Sequence, residues 1–461
     1  MRNQNQTASE VNNSSSAGKL ASVVRENKRR FAIFVTVAFV ISAVFTSCNN
    51  DDEDDKNEFT VQFDSRGGSA IEPQTVNEGG AITKPNDPVR NGFAFDGWYR
   101  DENFYDTWNF VDDKVNGDMT LYAKWNVDCA DCIFMTTSTS DRASIRMAGA
   151  GTVKIDWGDD SPVETKTLLE YSSSFHSSAY EYVHYYTGTY ARNPIIITGG
   201  EVNYLDCNNS NSIMALDVSK KTSLLYLDCG WNNIENLDVS KNTALIYLYC
   251  SHNWLTELDV SKNTALIELE CGNYQLIELD VSKNTALTYL SCSDSRLTSL
   301  EVSKNTALEV LWCGNNQLTN LVFSNNNTLT RLYCGKNQFT KLDVSKNTAL
   351  VDLYCGDNQL IELDLSKNTV LMNLQCNKNQ LTELDVSKNT TLIRLECQDN
   401  KLTSTALDAL FGTLHSNVIT PPGYWQPASK MVSINGNPGM FNCNKSIATS
   451  NGWSVDTTSE L

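Results

Sequence analysis

Ten cysteines, Cys207, Cys229, Cys250, Cys271, Cys292, Cys313, Cys334, Cys355, Cys376 and Cys397, are separated by 22 residues once and by 21 thereafter. A chain this periodic has few ways to fold. One unit reads Leu245-Ile-Tyr-Leu248-Tyr-Cys250-Ser-His-Asn253-Trp-Leu255-Thr-Glu-Leu258-Asp-Val260-Ser-Lys-Asn-Thr-Ala265. A single unit cannot bury the apolar set Leu245, Leu248, Cys250, Leu255, Leu258 and Val260. The units must therefore stack, each contributing one short parallel strand to a solenoid. Neighbouring strands lie ~4.8 Å apart, and ladder cysteines share that spacing with parallel Cβ vectors. A disulfide needs Cβ atoms ~3.8 Å apart and converging. The ten are therefore expected to be buried free thiols that fill core space, not five bridges and not metal ligands.

The unit matches the leucine-rich-repeat template LxxLxLxxNxL, with cysteine at the third apolar position. Its length and cysteine column resemble the internalin J type, a resemblance that implies a buried cysteine ladder and adhesion to host or neighbouring-cell molecules. The asparagine column (Asn232, Asn253, Asn316, Asn337, Asn358, Asn379, Asn400) should satisfy backbone groups in the turn after each strand. It is interrupted by Tyr274 and Ser295, where local irregularity is expected. The motif SKNT recurs seven times, so the convex turn is nearly invariant.

The residues flanking each inward strand leucine vary freely, and strand alternation turns them outward on the concave sheet. One column runs Tyr226, Tyr247, Glu268, Tyr289, Val310, Arg331, Asp352, Asn373, Arg394. Its neighbour runs Asp228, Tyr249, Glu270, Ser291, Trp312, Tyr333, Tyr354, Gln375, Glu396. Tyr and Trp are enriched at binding hot spots. The candidate ligand-binding residues are Tyr226, Trp231, Tyr247, Tyr249, Trp254, Tyr289, Trp312, Tyr333 and Tyr354. Trp312, Tyr333 and Tyr354 occupy three consecutive rungs, ~10 Å in all, and could hold a peptide or sugar rings. The competing reading is that aromatics stack across strands for stability alone.

The other end of the chain reads as an address. Residues 1–30 are polar and end in Arg25, Lys28, Arg29 and Arg30, and an apolar run spans Phe31–Phe45. Fifteen residues reach only ~23 Å as a helix, short of the ~30 Å hydrocarbon core, so the layout is a secretory signal. The sequence FTSC ending at Cys48 resembles the lipobox of bacterial lipoproteins, which implies lipid attachment at Cys48. An ordinary signal peptide with an incidental cysteine is the alternative. Residues 49–58 hold six acids against one lysine, a self-repelling tether. They are also similar to the acidic export signal of Bacteroides-type lipoproteins, which implies an outer-membrane, outward-facing location.

Two small β modules separate tether from solenoid. Residues 59–126 open on the alternating FTVQF, are punctuated by Gly67-Gly68 and Gly79-Gly80, and carry GFAFDGWY and MTLYAKW. They resemble a Listeria–Bacteroides (internalin B-type) repeat, which implies a β-grasp-like spacer or weak interaction module. Residues 127–200 include VKIDWGDDS from Val153 and YVHYYTGTY from Tyr182. These are similar to the paired motifs of PKD-type domains, which implies an immunoglobulin-like sandwich. Asp156, Asp159 and Asp160 could offer oxygens to calcium or merely organise a polar turn; His184 fits the strand pattern. Cys129 and Cys132 form a lone CxxC, a weak zinc signal, and a linker disulfide remains open.

The fold class is thus mainly β: 1–47 signal, 48–58 tether, 59–126 β-grasp-like module, 127–200 sandwich, 201–403 solenoid with a parallel concave sheet, and 404–461 cap. Leu407, Leu410, Phe411 and Leu414 predict a cap helix over 404–415, with Met431–Ile434 a final strand. The net charge of −19 argues against nucleic acid, because no basic patch lies beyond the first thirty residues. Without a nucleophile–base pair, metal spacing or phosphate loop, no enzymatic activity and no cofactor or metal are expected. The expectation is a lipid-anchored surface protein that binds a protein ligand, with glycan capture for a polysaccharide-uptake system as the alternative.

Overall fold

The computed structural model describes residues 58–461 except 91, 103, 129, 138–141, 160, 172–179, 186–193, 209–212, 421–427 and 459–461. The expected signal, Cys48 and almost all of the acidic tether lie outside the described residues, as do Cys129 and Asp160.

Strands β1 (Glu58–Asp64), β2 (Gln74–Asn77), β3 (Phe93–Tyr99) and β4 (Met119–Val127) form a separate sheet in the order β2-β1-β4-β3. Its central pair, β1 and β4, is parallel, with Val61 opposite Met119. Val61 and Leu121 point to one face, where Trp98, Trp108, Ile82 and Val115 close the core. Loops thus supply the layer that a helix provides in a β-grasp.

The next six strands are β5 (Cys132–Thr137), β6 (Arg142–Asp156), β7 (Glu164–Thr167), β8 (Tyr180–Tyr185), β9 (Ile195–Asp206) and β10 (Ile213–Asp217). They pair antiparallel and belong to one hydrogen-bonded sheet that continues into the solenoid. Register shifts in β6 bend that sheet. Gly149 sits at one of them because a Cβ there would overlap the Glu201 carbonyl of β9. The anticipated boundary at 200/201 falls inside β9, whose first half pairs with β5 while Tyr204-Leu205-Asp206 pairs with the first repeat strand. The strand therefore lends the solenoid its first rung, and one core runs through both. Asp156 and Asp159 accept from Gly158 N (2.9 Å) and Ser161 N (3.2 Å), organising a turn. Asp159 also holds His184 Nε2 at 2.7 Å, and the His184 ring stacks on Trp157 at 5.0 Å.

Each repeat contributes a three-residue strand: β11 (Tyr226–Asp228), β12 (Tyr247–Tyr249), β13 (Glu268–Glu270), β14 (Tyr289–Ser291), β16 (Val310–Trp312), β18 (Arg331–Tyr333), β19 (Asp352–Tyr354), β20 (Asn373–Gln375) and β21 (Arg394–Glu396). All pair in parallel without register slip, leucine opposite leucine. After every strand but β14, where Ser295 stands in its place, the chain turns inward at an asparagine. Asn337 Nδ2, for example, donates to the Cys313 and Cys334 carbonyls, while its Oδ1 accepts from Leu318 N. The irregularity expected at Tyr274 takes a definite form. Asn273, one position early, fills the gap by accepting from Asn253 N at 2.7 Å, and Ser295 Oγ accepts from Asn273 N.

The convex SKNT turns carry a second asparagine ladder. Asn263 donates to Val239 and Asn242 carbonyls at 2.9 Å, and its equivalents in the other repeats do the same. The preceding aspartate caps the turn, as when Asp259 Oδ1 accepts from Ser261 N. Where that aspartate is replaced, by Glu301 and Val322, the short cap is lost. The backbone pairs sideways instead, giving β15 (Ser299–Glu301) and β17 (Asn320–Val322).

Both ends are sealed. Lys221 occupies the asparagine position of the first turn, is 2% exposed, and donates to the Gly199 and Gly200 carbonyls and to Asp131. At the other end helix α1 (Ser404–Thr413), N-capped by Thr403, buries Leu407, Leu410 and Phe411. Strands β22 (Lys430–Ser433) and β23 (Trp453–Asp456) extend the parallel sheet by two more rungs, with helix α2 (Ser446–Ser450) between them. Lys430 Nζ donates to the carbonyls of His415, Asn417 and Asn451, tying the cap together. No helix among the described residues is long and apolar enough to cross a membrane.

Candidate functional site

All ten ladder cysteines have no exposed surface. Burial pushes their thiols up, to about 12 at Cys292, Cys355 and Cys397. A thiol so far from ionisation is neither nucleophile nor metal ligand at neutral pH. No cluster of His, Cys, Asp and Glu among the described residues could hold a metal ion.

The two concave columns divide into unlike halves. In the C-terminal half Trp312 and Tyr333 stack at 4.3 Å, and Tyr333 meets Tyr354 edge-on at 4.5 Å. Trp312 is 39% exposed, while the two tyrosines are half-buried by their neighbours. The acids here have cationic partners. Asp352 faces Arg331 at 3.2 Å and also accepts from Asn373, and Glu396 faces Arg394 at 2.5 Å.

The N-terminal half is a tyrosine cluster bordered by acids. Tyr226 is only 8% exposed, sandwiched between Tyr204 at 4.2 Å and the Tyr247 and Tyr249 rings. Tyr171 covers Tyr204 in turn, at 5.4 Å. Tyr226 is therefore a packing residue of the first rungs and does not offer a free face to a ligand. Tyr171 comes from the preceding module and Tyr204 from the rung before the columns begin, which is why the columns alone did not reveal the burial. Tyr247, Tyr249 and Tyr289 remain half-buried on the surface. Tyr249 donates to Glu268 at 2.6 Å.

Trp231 and His252 stand at the rim, each in the left-handed backbone region (φ 55° and 57°) just before a ladder asparagine. In later repeats Asp, Asn or Lys fills this position. Their rings stack at 3.8 Å, Trp231 is 59% exposed, and Tyr274 extends the row from His252 at 5.9 Å. Trp254 lies beyond the asparagine turn, its indole donating to Asn233 at 3.2 Å, outside this groove. The groove itself, about 400 Å³, is lined by Asp228, Tyr249, Glu270, Trp231, His252 and Asp294 among others. Burial pushes the Asp228 carboxyl up to about 6 and raises Glu270 as well.

Residues 59–124 match the Listeria-Bacteroides repeat domain family. A Gly-rich membrane protein of Evansella cellulosilytica is 40% identical over 89 residues, 19% of this chain and 10% of its own length. A membrane protein of the same organism is 40% identical over 75 residues, 16% of this chain and 11% of its own. The chain thus spans about a tenth of the length of these relatives. Among solved structures, the functional domain of InlJ from Listeria monocytogenes, which includes a cysteine ladder, is 36% identical, with a TM-score of 0.47. That alignment covers 56% of this chain and 55% of the other. A leucine-rich-repeat protein of Leptospira interrogans is 21% identical, covers 54% of this chain and 65% of its own, and gives a TM-score of 0.46. The chain is a leucine-rich-repeat solenoid with a cysteine ladder, similar to InlJ, joined to a Listeria-Bacteroides repeat domain.

Proposed function

We propose that this chain is a surface lipoprotein, anchored through Cys48 in the outer membrane and facing outward, whose solenoid binds a protein ligand on its concave sheet. One observation carries the reading: the scaffold positions repeat almost without change, whereas the concave columns vary and concentrate aromatic rings. What supports binding is the density of rings on that face, more than its variability, which an unconstrained surface would share. Interfaces concentrate their energy in such rings. The test is capture of matrix and cell-surface proteins by the chain from residue 49 onward. Tyr333→Ala is expected to weaken a captured protein at least tenfold, and failure of every protein to bind would remove the reading. Protease treatment of intact cells, and loss of lipid label in Cys48→Ser, test the anchor and its orientation.

The second reading, glycan capture, draws on the Trp312–Tyr333 pair, whose stacked rings with one exposed face suit a sugar ring. It calls for affinity toward soluble glycans that is lost in Trp312→Ala.

A further inference from the structure

The concave sheet is electrostatically uneven. Its C-terminal acids are neutralised by Arg331 and Arg394. In the N-terminal half Arg146 serves Asp206 at 3.1 Å, but Asp228, Glu268 and Glu270 have no lysine or arginine within ion-pair distance among the described residues. They are instead half-buried beside tyrosines. Partly desolvating carboxylates whose nearest cationic group is the His252 imidazole, acting on Glu270 alone, costs folding energy. The same chain pairs the equivalent acids a few rungs later, so the omission is local.

The missing countercharge has a place to sit. Asp228 and Glu270 lie in one outward column, two rungs apart, which is ~9.6 Å at the usual strand spacing. Asp228 spends its oxygens on Gly230 N and Asn208 Nδ2, both uncharged donors. Along the same groove stands the Trp231–His252 stack, with the Trp231 ring largely open. Carboxylates beside an exposed indole suit a guanidinium, which pairs in plane with an oxygen fork and lies flat on a ring face.

We infer that the N-terminal half of the concave groove, between Asp228 and Glu270 and along Trp231, is the docking surface for an extended basic polypeptide segment. This deepens the protein-binding reading above and rests on it. A polyproline-II segment advances ~3.1 Å per residue and brings every third side chain to one face. Two arginines three residues apart then span ~9.3 Å, matching the two carboxylates.

The experiment titrates the chain from residue 49 onward with a fluorescent Gly/Ser peptide carrying Arg-x-x-Arg, and with an all-Gly/Ser peptide of equal length. The basic peptide is expected to bind, more weakly as salt rises, and the neutral one not. Asp228→Asn with Glu270→Gln should weaken it at least tenfold, and Trp231→Ala severalfold. Glu257→Gln with Glu278→Gln removes the same charge from exposed positions outside the groove and should change affinity less than twofold. Equal losses in the two double variants would mean diffuse attraction to an acidic chain and would overturn the inference. So would equal binding of the neutral peptide, or a neutral glycan occupying this groove in its place. A captured protein released by Tyr333→Ala but indifferent to the Asp228/Glu270 pair would sink this inference while leaving the protein-binding reading standing. If no protein is captured at all, that reading falls first.

Discussion

At the scale of one residue, the half-buried Asp228 makes stability depend on pH. Its carboxyl titrates near 6 in the fold because burial disfavours the anion, against ~3.9 in an unfolded chain. Between those values the folded state holds more protons than the unfolded one, so stability falls as pH rises from about 4 to 6 and stays reduced above. Asp228→Asn is expected to gain on the order of 1–2 kcal/mol at pH 7, after allowance for solvent screening, and to flatten that slope. Urea midpoints at pH 4 and 7 measure both effects; a variant less stable at pH 7 would contradict the sign. The site's legibility differed from residue to residue. That Asp228 faces outward followed from strand alternation. Its burial did not, because Asn208, which closes on its carboxylate, lies outside the columns that the repeat defines. Tyr226 is the clearest instance: outward in register, yet closed off by rings from elsewhere in the chain.

At the scale of elements, the cysteine ladder is a packing device, and its response to substitution should follow from that. Cys313 is fully buried among leucines. Cys313→Ser places a hydroxyl where a weak sulfur donor sat, at a cost of about 1–3 kcal/mol if left unbonded. Cys313→Ala leaves only a small cavity, worth about 1 kcal/mol. Chemical denaturation should therefore rank wild type above Ala and Ala above Ser, and Ser ranking above Ala would argue for a hydrogen-bonding role. The strands themselves were readable because leucine, variable, leucine and cysteine recur in fixed register. The β15–β17 ladder was overlooked, although its signal was present. Glu301 and Val322 interrupt the column of aspartates whose carboxylates cap the convex turns, and without the cap the backbone is released to pair. Asn273 shows the same thing in another turn, where an asparagine one residue early serves the ladder by a different bond.

At the scale of the whole molecule, a stack of interchangeable rungs is stable only if both ends are closed. The first end is closed by β9 and the buried Lys221, the last by α1, β22, β23 and Lys430. Deleting residues 404–461 would open the β21 edge and the apolar surface beneath Leu395 and Leu402. The truncated chain should aggregate on size-exclusion chromatography and melt at lower temperature. A monomeric product with an unchanged melting temperature would show that the repeats close themselves.

The sequence by itself determined the repeat, its length, its inward and outward faces and the free state expected of the ladder thiols. These follow from local periodicity and from the fixed spacing of parallel strands. Only the tertiary structure decided where the solenoid begins, since one strand serves two modules and the boundary at 200/201 vanishes inside it. It also decided which outward rings remain open and which described acids have no lysine or arginine partner. Both depend on side chains brought together from distant parts of the chain, and no column of a repeat records what packs against it from outside.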